Sequence, residues 1–494
     1  MTGTELGCAV RLYSRMTIDA LPDNVLLETF EFYLDKDDVV KIDRYQNYDR
    51  WITLVHVCRR WRCIVFASPC RLDLKVCCTQ QRSVNSNTLG IWPALPIVLF
   101  AREMQSEEDV TNLIAALRQP NRVCEIYYYD RKFQGSFLKE FAAIDEPFLA
   151  LTSLKLFSFG QNVPVLPNSF LGGSAPCLRS LHLDGIPYPS MGKLLSSTTN
   201  LVRLSLWHIP HSGYISPEAI VPCLSMLVKL KSLSLGFRYP RSRAHRARRH
   251  PPPLTHVVLP NLTFLYFRGD IKYFEDILYQ IETPNLNESR FCFFNQLVFH
   301  TPPLGHFICR TKKFSTIHRA CIEFFRWAVK LTLLGQQGMA NNDVEALRLQ
   351  ISCRPLDWQL SAVAEVLNSF SSSLLTLDGL EIGVYHEGWQ DAIEIAEWQE
   401  FLHPFTSVKQ ITLKTEASVQ FVVPVLQELA GERATEVLPA LQNLSLGGYR
   451  SQQWGPVKEA IEQFIAARQL FGHPVTVYHK SRGEEYLRWQ VSYR

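Results

Sequence analysis

A leucine pattern of the form L-x-x-L-x-L recurs along most of the chain and constrains its fold more than any other feature. Five consecutive copies are complete or nearly so, and they are Leu151-Leu154-Leu156, Leu178-Leu181-Leu183, Leu201-Leu204-Leu206, Leu230-Leu233-Leu235 and Leu262-Leu265-Phe267. The later copies are Val408-Ile411-Leu413 and Leu441-Leu444-Leu446, with degenerate ones starting at Leu286, Phe314, Val344 and Leu374. The ten steps from 151 to 441 cover 290 residues, so the mean period is 29.

In an extended strand, the two leucines of each Leu-x-Leu triplet face one side and the residue between them faces the other. A single unit cannot cover its own leucine face, whereas stacked units bury it continuously. The period of 29 lies at the top of the range of leucine-rich repeats, about 20–29. The sequence therefore predicts an α/β fold in which residues 151–480 form a curved solenoid, or horseshoe, of divergent leucine-rich repeats. The second half of each unit, such as 187–197 or 217–228, is expected to supply a helix or turn.

Residues on the far side of each strand from the leucines are candidates for contact with a target protein. Aromatic side chains and arginine dominate protein interfaces, which favours Trp207 and Arg268. The alternative is that Trp207 packs under a neighbouring loop and that Arg268 pairs with Asp270. The asparagine or cysteine expected soon after the strand is missing, and Asp184 and His208 stand nearby instead. The predicted target-contacting residues are Lys155, His182, Asp184, Ser205, Trp207, Tyr266 and Arg268.

Two short amphipathic helices are predicted near the N-terminus, within residues 16–75. Pro22 suits the first position of a helix, and Asp23 then lies in the first turn, where the helix dipole favours a negative charge. The apolar positions of this helix are Val25, Leu26, Phe30, Tyr33 and Leu34. A second helix is predicted over 51–66, with apolar residues every three or four positions. Two such helices cannot bury all of their apolar surface against each other. The following domain or a partner must therefore cover the apolar surface that remains.

Leu21-Pro22 opens the first helix, and Leu54-Val55-x-Val57-Cys58-Arg59-Arg60-Trp61-Arg62 lies on the second. This combination resembles the F-box motif, whose helices dock on the Skp-type adaptor of a cullin–RING ubiquitin ligase. The resemblance implies adaptor contact, or packing within the motif, for Leu21, Pro22, Val25, Leu26, Val57, Cys58 and Trp61. The connection over residues 35–50 holds nine charges in sixteen positions and is longer than usual. The alternative is an ordinary helical hairpin that caps the next domain.

A wider resemblance is carried by segments 283–286, 293–299, 301–304, 436–444 and 464–469. Together with the helices and repeats, they are similar to a large group of fungal F-box proteins with divergent leucine-rich repeats, especially those of mushroom-forming fungi. This resemblance implies the architecture and adaptor binding, but it implies no particular target.

An arginine-rich stretch follows the fourth leucine unit. Residues 238–250 contain six arginines and two histidines, and three prolines follow at 251–253. A basic loop over 238–253 can attract acidic partners or nucleic acid. Tyr239 is the one aromatic residue interleaved with the arginines, which argues against nucleic acid. The alternative is a solvated insertion between two repeats, without a binding role.

Composition excludes several other classes of protein. The 51 basic and 47 acidic residues leave a net charge of only +4, and no apolar stretch reaches the ~18 residues of a membrane helix. The N-terminus lacks the apolar core of a signal peptide, and the 13 cysteines have neither zinc-finger nor paired disulfide spacing. Nucleotide-binding, metalloprotease and serine-hydrolase motifs are missing as well. We therefore expect an intracellular protein, cytoplasmic or nuclear, with no metal, cofactor or membrane association.

The expected organisation is an N-terminal tail (1–15), F-box helices (16–75), a linker or N-terminal cap of the solenoid (76–150), the solenoid (151–480) and a C-terminal tail (481–494). The predicted function is that of a non-enzymatic substrate receptor of a Skp–cullin–F-box E3 ubiquitin ligase. Its helices bind the adaptor, and through it a cullin, and its repeats bind a target protein. Two alternatives are a leucine-rich-repeat interaction scaffold outside the ubiquitin system and a nucleic-acid-associated protein that acts through the arginine-rich loop.

Overall fold

The structure is a computed structural model of the 494-residue chain. It describes residues 18–34, 50–79, 94–102, 107–131, 136–160, 163–240, 256–294, 302–311, 314, 316–336, 343–353, 356–370, 376–386, 395–429, 437–447, 455–480 and 486–488. The predicted tail at 1–15 therefore lies outside the described residues. The chain divides into two compact units, Met1–Tyr128 and Tyr129–Arg494. Among the described residues, none of the helices combines the length and the apolar character needed to span a bilayer.

Three short helices open the first unit. They are α1 (Asp23–Leu34), α2 (Arg50–Val57) and α3 (Arg59–Ala67), after one 3-10 turn at Ile18–Ala20. α1 begins where the sequence predicted, directly after Pro22 and with Asp23 in its first turn. Leu26 and Phe30 of α1 are buried, and Phe30 packs on Trp61 of α3 with ring centroids 4.7 Å apart. This contact joins the first helix to the third.

The second predicted helix is two helices, because the chain is extended at Cys58. The φ and ψ angles of Cys58 are −156° and 171°, which lie outside the helical range. Its Sγ accepts a hydrogen bond from the backbone N–H of Trp61 at 3.4 Å. Cys58 therefore caps the N-terminus of α3 and satisfies a donor that helix geometry leaves unpaired. The prediction of one helix over 51–66 was wrong for this reason.

The region predicted as a linker or cap, 76–150, has regular structure of its own. Its described elements up to residue 130 are β1 (Val76–Thr79), β2 (Ile97–Arg102), α4 (Glu107–Leu117) and β3 (Val123–Asp130). β1 and β2 are parallel, with Val76 opposite Ile97. β3 crosses the boundary between the two units.

The second unit contains both strands and helices among its described residues. Its further strands are β4 (Ser153–Ser158), β5 (Ser180–Asp184), β6 (Arg203–Ile209), β7 (Ser232–Phe237), β8 (Val257–Val258), β9 (Phe264–Gly269), β10 (Ile281–Glu282), β11 (Glu288–Phe293), β12 (Ile317–Phe325), β13 (Ala328–Gln336), β14 (Asp343–Ile351), β15 (Gly379–Val384), β16 (Gln410–Leu413), β17 (Asn443–Leu446), β18 (Thr476–Lys480) and β19 (Tyr486–Arg488). Its helices are α5 (Ser136–Ala142), α6 (Gly192–Ser197), α7 (Pro217–Ser225), α8 (Ile271–Leu278), α9 (Pro302–Arg310), α10 (Leu356–Ser369), α11 (Ile395–Leu402), α12 (Glu416–Leu429) and α13 (Gly455–Leu470).

The leucine units form neighbouring parallel strands, as their spacing predicted. β4, β5, β6, β7, β9 and β11 pair in that order. The middle leucines of the first five units are in register, and they are Leu154, Leu181, Leu204, Leu233 and Leu265. Each of these side chains is at most 3% exposed, so one face of the sheet forms the core. The second unit is therefore an α/β leucine-rich-repeat array with a parallel sheet.

The middle of the sheet departs from the predicted chain order. β11 pairs with β14 rather than with β12, and β14 then pairs with β13, β13 with β12, and β12 with β15. Only β13 is antiparallel within this group, to both of its neighbours. The copies starting at Phe314 and Val344 were predicted as successive neighbouring repeats, and that order was wrong. The parallel order resumes from β15 through β16 and β17 to β18.

Regular structure extends beyond residue 480, the predicted end of the solenoid. β19 pairs antiparallel with β18, with Arg488 opposite Tyr478, inside the region predicted as a tail at 481–494. Of the predicted basic loop over 238–253, only the first three residues are described. The rest of that loop, 241–253, lies outside the described residues.

Candidate functional site

The strand face opposite the leucine core collects the predicted target-contacting residues. One row across β4 to β9 is formed by Lys155, His182, Ser205, Ser234 and Tyr266. The next row, two residues further along each strand, is formed by Phe157, Asp184, Trp207, Gly236 and Arg268. All seven predicted residues belong to these two rows and are half-buried. The structure therefore brings them together on one face.

A β-bulge in β6 adds a residue that the sequence analysis did not select as a contact. Leu206 pairs with Leu235 and Ile209 pairs with Phe237, so two residues of β6 lie opposite Gly236 alone. Those two residues are Trp207 and His208. His208 adopts a φ of 46°, a left-handed conformation that few non-glycine residues take. A bulge of this kind redirects side chains, and here it sends His208 toward Asp184 and Arg268.

Two aromatic rings meet above β7. The ring centroids of Trp207 and Tyr266 lie 4.3 Å apart with an interplanar angle of 22°. Their strands, β6 and β9, are separated by β7, so the backbones lie about 9–10 Å apart. The residues of β7 on this face are Ser234 and Gly236, which are small enough to leave room for the rings. Ser234, on the strand between them, is 3% exposed.

A hydrogen-bonded chain runs beside this stack. Nδ1 of His208 lies 2.7 Å from Oδ1 of Asp184, and Nε2 lies 3.3 Å from an Nη of Arg268. A guanidinium can only donate, so Nε2 accepts and Nδ1 carries the proton that is donated to Asp184. Arg268 also lies over the ring of Phe294, at 5.8 Å from its centroid. Trp207 was alternatively expected to pack under a neighbouring loop, but it stacks on Tyr266. Arg268 was alternatively expected to pair with Asp270, but it binds His208.

His182 packs against a neighbouring aromatic ring on the same face. Burial lowers the pKa of its imidazole to about 4, with the charge on Lys155 acting in the same direction and that on Asp184 opposing it. The ring is therefore neutral near pH 7. It packs against Phe157, with ring centroids 4.6 Å apart. His182 stays a predicted target contact, and its neutral, half-buried ring also packs on the face on which its neighbours lie.

The space between Gly236 of β7 and the stacked rings of Trp207 and Tyr266 gives a test of the stack. A Cβ built on Gly236 lies 3.6 Å from both Tyr266 and Arg268, an ordinary contact, so Gly236→Ala should leave stability nearly unchanged. Gly236→Leu must push the stacked rings apart and should cost about 1–3 kcal/mol. Urea unfolding of both variants measures the difference. Equal midpoints for the two variants would show that the rings do not meet above β7.

The residues predicted to contact an adaptor divide into two groups in the first unit. Leu26 is fully buried, Trp61 packs on Phe30, and Cys58 caps α3, so these three hold the helices together. For these three positions the resemblance implies either adaptor contact or packing within the motif, and burial excludes adaptor contact for Leu26. The exposed group is Leu21, Pro22, Val25 and Val57.

Arg60 fixes the turn that carries two of the exposed residues. Its Nη2 donates to the backbone carbonyl of Leu21 at 2.6 Å, and its Nε donates to the carboxylate of Asp23 at 2.9 Å. Arg60 lies in the first turn of α3, three residues after Val57. The start of α1 is thereby held next to the junction of α2 and α3.

Phe32 is a further exposed residue that the sequence analysis missed. It is 79% exposed, and it follows Val25 by seven residues, or two helical turns, so both lie on the same side of α1. The helix therefore has apolar side chains on two sides, with Leu26 and Phe30 directed inward. Val25 and Tyr33, two of the apolar positions predicted for this helix, are exposed. The run Phe30-Glu31-Phe32-Tyr33 is the sequence signal that could have revealed Phe32.

The described cysteines and acidic residues form neither disulfides nor a metal site. Twelve cysteines lie in the described part of the chain, and all of them are free thiols. The described residues contain no group of three or more His, Cys, Asp or Glu side chains arranged to bind a metal ion.

Comparison with known proteins gives structural likenesses only. No protein-family model matches the chain, and no curated protein matches it. A solved structure that matches is the leucine-rich repeat-containing protein LegL7 from Legionella pneumophila, at 15% sequence identity. The match covers 66% of this chain and 93% of that protein, with a TM-score of 0.27. We base the leucine-rich-repeat assignment on the strand register and the buried leucines of this chain alone.

Proposed function

We propose that this chain is a non-catalytic substrate receptor of a Skp–cullin–F-box E3 ubiquitin ligase. In this proposal, α1, α2 and α3 bind the Skp-type adaptor, and through it a cullin, and the strand face of the second unit binds a target protein. The proposal is carried by one observation, an apolar surface on these helices that is open to solvent. We define this adaptor surface by Leu21, Val25, Phe32 and Val57.

The adaptor surface has the character of an interface. Val25 is 37% exposed and Val57 is 58% exposed, although both are fully apolar. Complete burial of such a side chain contributes about 1.5–3 kcal/mol, so several together can drive association. Exposed apolar side chains that cluster at one place commonly mark a protein-interaction site. The hydrogen bonds of Arg60 support the clustering, because they hold Leu21 beside the helix junction that carries Val57.

The proposed role requires no catalytic group in this chain. A receptor that holds its target beside a charged ubiquitin carrier raises the local concentration of target lysines, and proximity alone accelerates the transfer. The rows of half-exposed side chains on the strand face provide a surface for such a target. Trp207, Tyr266 and Arg268 are of the residue types that contribute most to protein interfaces.

Charge placed on the adaptor surface should weaken adaptor capture. The Val25→Asp and Val57→Asp substitutions put a carboxylate into the contact, and we expect each to weaken capture by about tenfold or more, because burying an unpaired charge is costly. Both residues are exposed in the free chain, so the fold should tolerate the change. Co-purification of the full-length chain with a Skp-type adaptor measures the effect.

Val228→Asp is the matched control. Val228 lies in the second unit, is 52% exposed, and undergoes the same substitution. We expect this variant to capture the adaptor as the unmodified chain does. Normal capture by both Val25→Asp and Val57→Asp would contradict the F-box proposal. Failure of the unmodified chain to capture any Skp-type adaptor would favour a leucine-rich-repeat scaffold outside the ubiquitin system.

A further inference from the structure

We propose that the strand face of β4, β5, β6, β7 and β9 binds an extended peptide segment rich in Asp and Glu. This inference rests on the proposed function in one respect, since that function assigns target binding to this face. It adds the chemical class of the bound segment, which follows from the distribution of charge. We call this surface the basic strand face.

Five cationic side chains lie on the basic strand face or at the edge where its strands begin. They are Lys155, Arg179, Arg203, Lys231 and Arg268. Arg179 and Lys231 directly precede β5 and β7, and backbone hydrogen bonds join both of them to the start of β6. Arg203 N–H donates to the carbonyl of Arg179 at 3.0 Å, and Lys231 N–H donates to the carbonyl of Val202 at 2.8 Å. Within the described part of the chain, none of the five forms an ion pair with a carboxylate.

Negative charge on the same five strands is confined to one residue. Asp184 is the single Asp or Glu within β4, β5, β6, β7 and β9. Its carboxylate is 2.7 Å from His208 and is 13% exposed, so it is already engaged and largely covered. The positive charge of the face is therefore left for a ligand to neutralise.

The strands further along the sheet are different, because their cations are paired. The described ion pairs there include Arg290–Glu288, Arg319–Asp343, Lys330–Glu323 and Lys414–Glu381. The same sheet thus carries a balanced surface from β11 to β16 and an unbalanced one from β4 to β9. Unpaired cations on one part of a surface raise the local concentration of anionic ligands and speed their association.

The size of the basic strand face fits a short peptide. Five neighbouring strands give four spacings of about 4.8 Å, or roughly 19 Å in total. An extended chain of about six residues spans this distance. Trp207 and Tyr266 offer an apolar contact within the same span, and interfaces combine such aromatic anchors with charged neighbours.

A nucleic acid fits this surface less well. Its affinity depends on many phosphate contacts along a continuous track of cations. The unpaired cations here are few, and the balanced surface that follows from β11 onward interrupts the track. The aromatic rings are stacked on each other, whereas single-stranded nucleic acid needs ring faces open to successive bases. The observations favour an acidic peptide.

Fluorescence anisotropy with the full-length chain tests the inference. The probe is a labelled eight-residue peptide that alternates Glu and Ala, and the comparison probes are the same peptide with Lys in place of Glu and an eight-nucleotide oligothymidylate. We expect the Glu peptide to bind, the Lys peptide not to bind, and the oligonucleotide to bind at least tenfold more weakly than the Glu peptide. Binding of the Glu peptide should weaken as salt rises from 50 to about 200 mM.

Charge reversal locates the site. Lys155→Glu/Arg203→Glu should weaken binding of the Glu peptide by about tenfold or more. Lys139→Glu/Lys272→Glu is the matched control, because it makes the same change in charge on two exposed helical residues, and it should bind as the unmodified chain does. Equal binding by both double variants would overturn the inference. Absence of Glu-peptide binding, or equal binding of the oligonucleotide, would overturn it as well.

Adaptor capture separates this inference from the proposed function. The Lys155→Glu/Arg203→Glu variant should retain adaptor capture, since the adaptor surface lies on other residues. If adaptor capture fails in the unmodified chain while the Glu peptide still binds at Lys155 and Arg203, the proposed function is wrong and the assignment of the basic strand face stands. If the adaptor is captured and no acidic peptide binds, the proposed function stands and the assignment of the basic strand face is wrong.

Discussion

Replacing Phe267 by Ala is expected to lower the free energy of unfolding by about 3–5 kcal/mol. Phe267 is 1% exposed and occupies, in register, the position that Leu235 fills on β7. Its ring packs on Phe274 with centroids 4.5 Å apart and lies 6.1 Å from that of Phe293. Truncation to Ala removes these contacts and leaves a cavity that the surrounding aromatic rings cannot close. Folded proteins are stable by only about 5–15 kcal/mol, so a loss of this size is a large fraction of the total.

Phe471→Ala provides the control for Phe267→Ala. Phe471 follows α13 and is 44% exposed, so the same truncation should cost little there. Urea unfolding followed by far-ultraviolet circular dichroism compares the two variants with the unmodified chain. Equal midpoints for Phe267→Ala and Phe471→Ala would show that the aromatic cluster between α8 and the sheet is not part of the core.

The strands of the first five repeats could be predicted because their signal is local. Each Leu-x-Leu triplet specifies a two-residue period within one strand, and the repeat spacing specifies that the next strand lies beside it. Register then follows, since a shift by one residue would expose Leu154 and Leu181 and bury Lys155 and His182. The outward-facing candidates were predicted for the same reason, and all of them lie on the expected face.

The order of the middle strands could not be predicted in this way. β12 and β13 are joined by the two residues Arg326 and Trp327, with Phe325 opposite Ala328. Two-residue hairpin turns are usually recognised by Gly, Asn or Asp, and none is present here. The alternation of Val329, Leu331 and Leu333 with polar residues does indicate a strand, but it contains no information on which strand lies next to it.

The site was predicted in part. The sequence placed Asp184 and His208 near the end of their strands, but it could not show that a bulge turns His208 toward Asp184. The bulge depends on β7, which offers Gly236 alone opposite two residues of β6. The stack of Trp207 on Tyr266 likewise depends on small residues in the strand between them. Such contacts join residues that are separated by a whole repeat, and no local pattern encodes them.

Disulfide formation should distinguish the observed strand order from the chain order. Arg290 of β11 lies opposite Arg348 of β14, and both side chains are on the half-exposed face. Neighbouring strands are about 4.8 Å apart, within the Cα separation of about 4.4–6.8 Å that a disulfide requires. The double variant Arg290→Cys/Arg348→Cys should therefore cross-link almost completely on mild oxidation. Mass mapping of the peptides identifies the bond among the native cysteines.

Chain order predicts a different pair, which serves as the control. Alignment of the copies that start at Leu286 and Phe314 would place Arg290 opposite His318. In the structure, β14 and β13 separate β11 from β12, so the two strands lie about 14 Å apart. Cys321 is the residue of β12 in register with Arg290, and His318 lies further along the strand, so the two positions are more than about 14 Å apart, at least twice the distance that a disulfide can bridge. Arg290→Cys/His318→Cys should form no cross-link. A cross-link in this variant and none in Arg290→Cys/Arg348→Cys would establish simple successive repeats, and β13 could then not lie between β12 and β14.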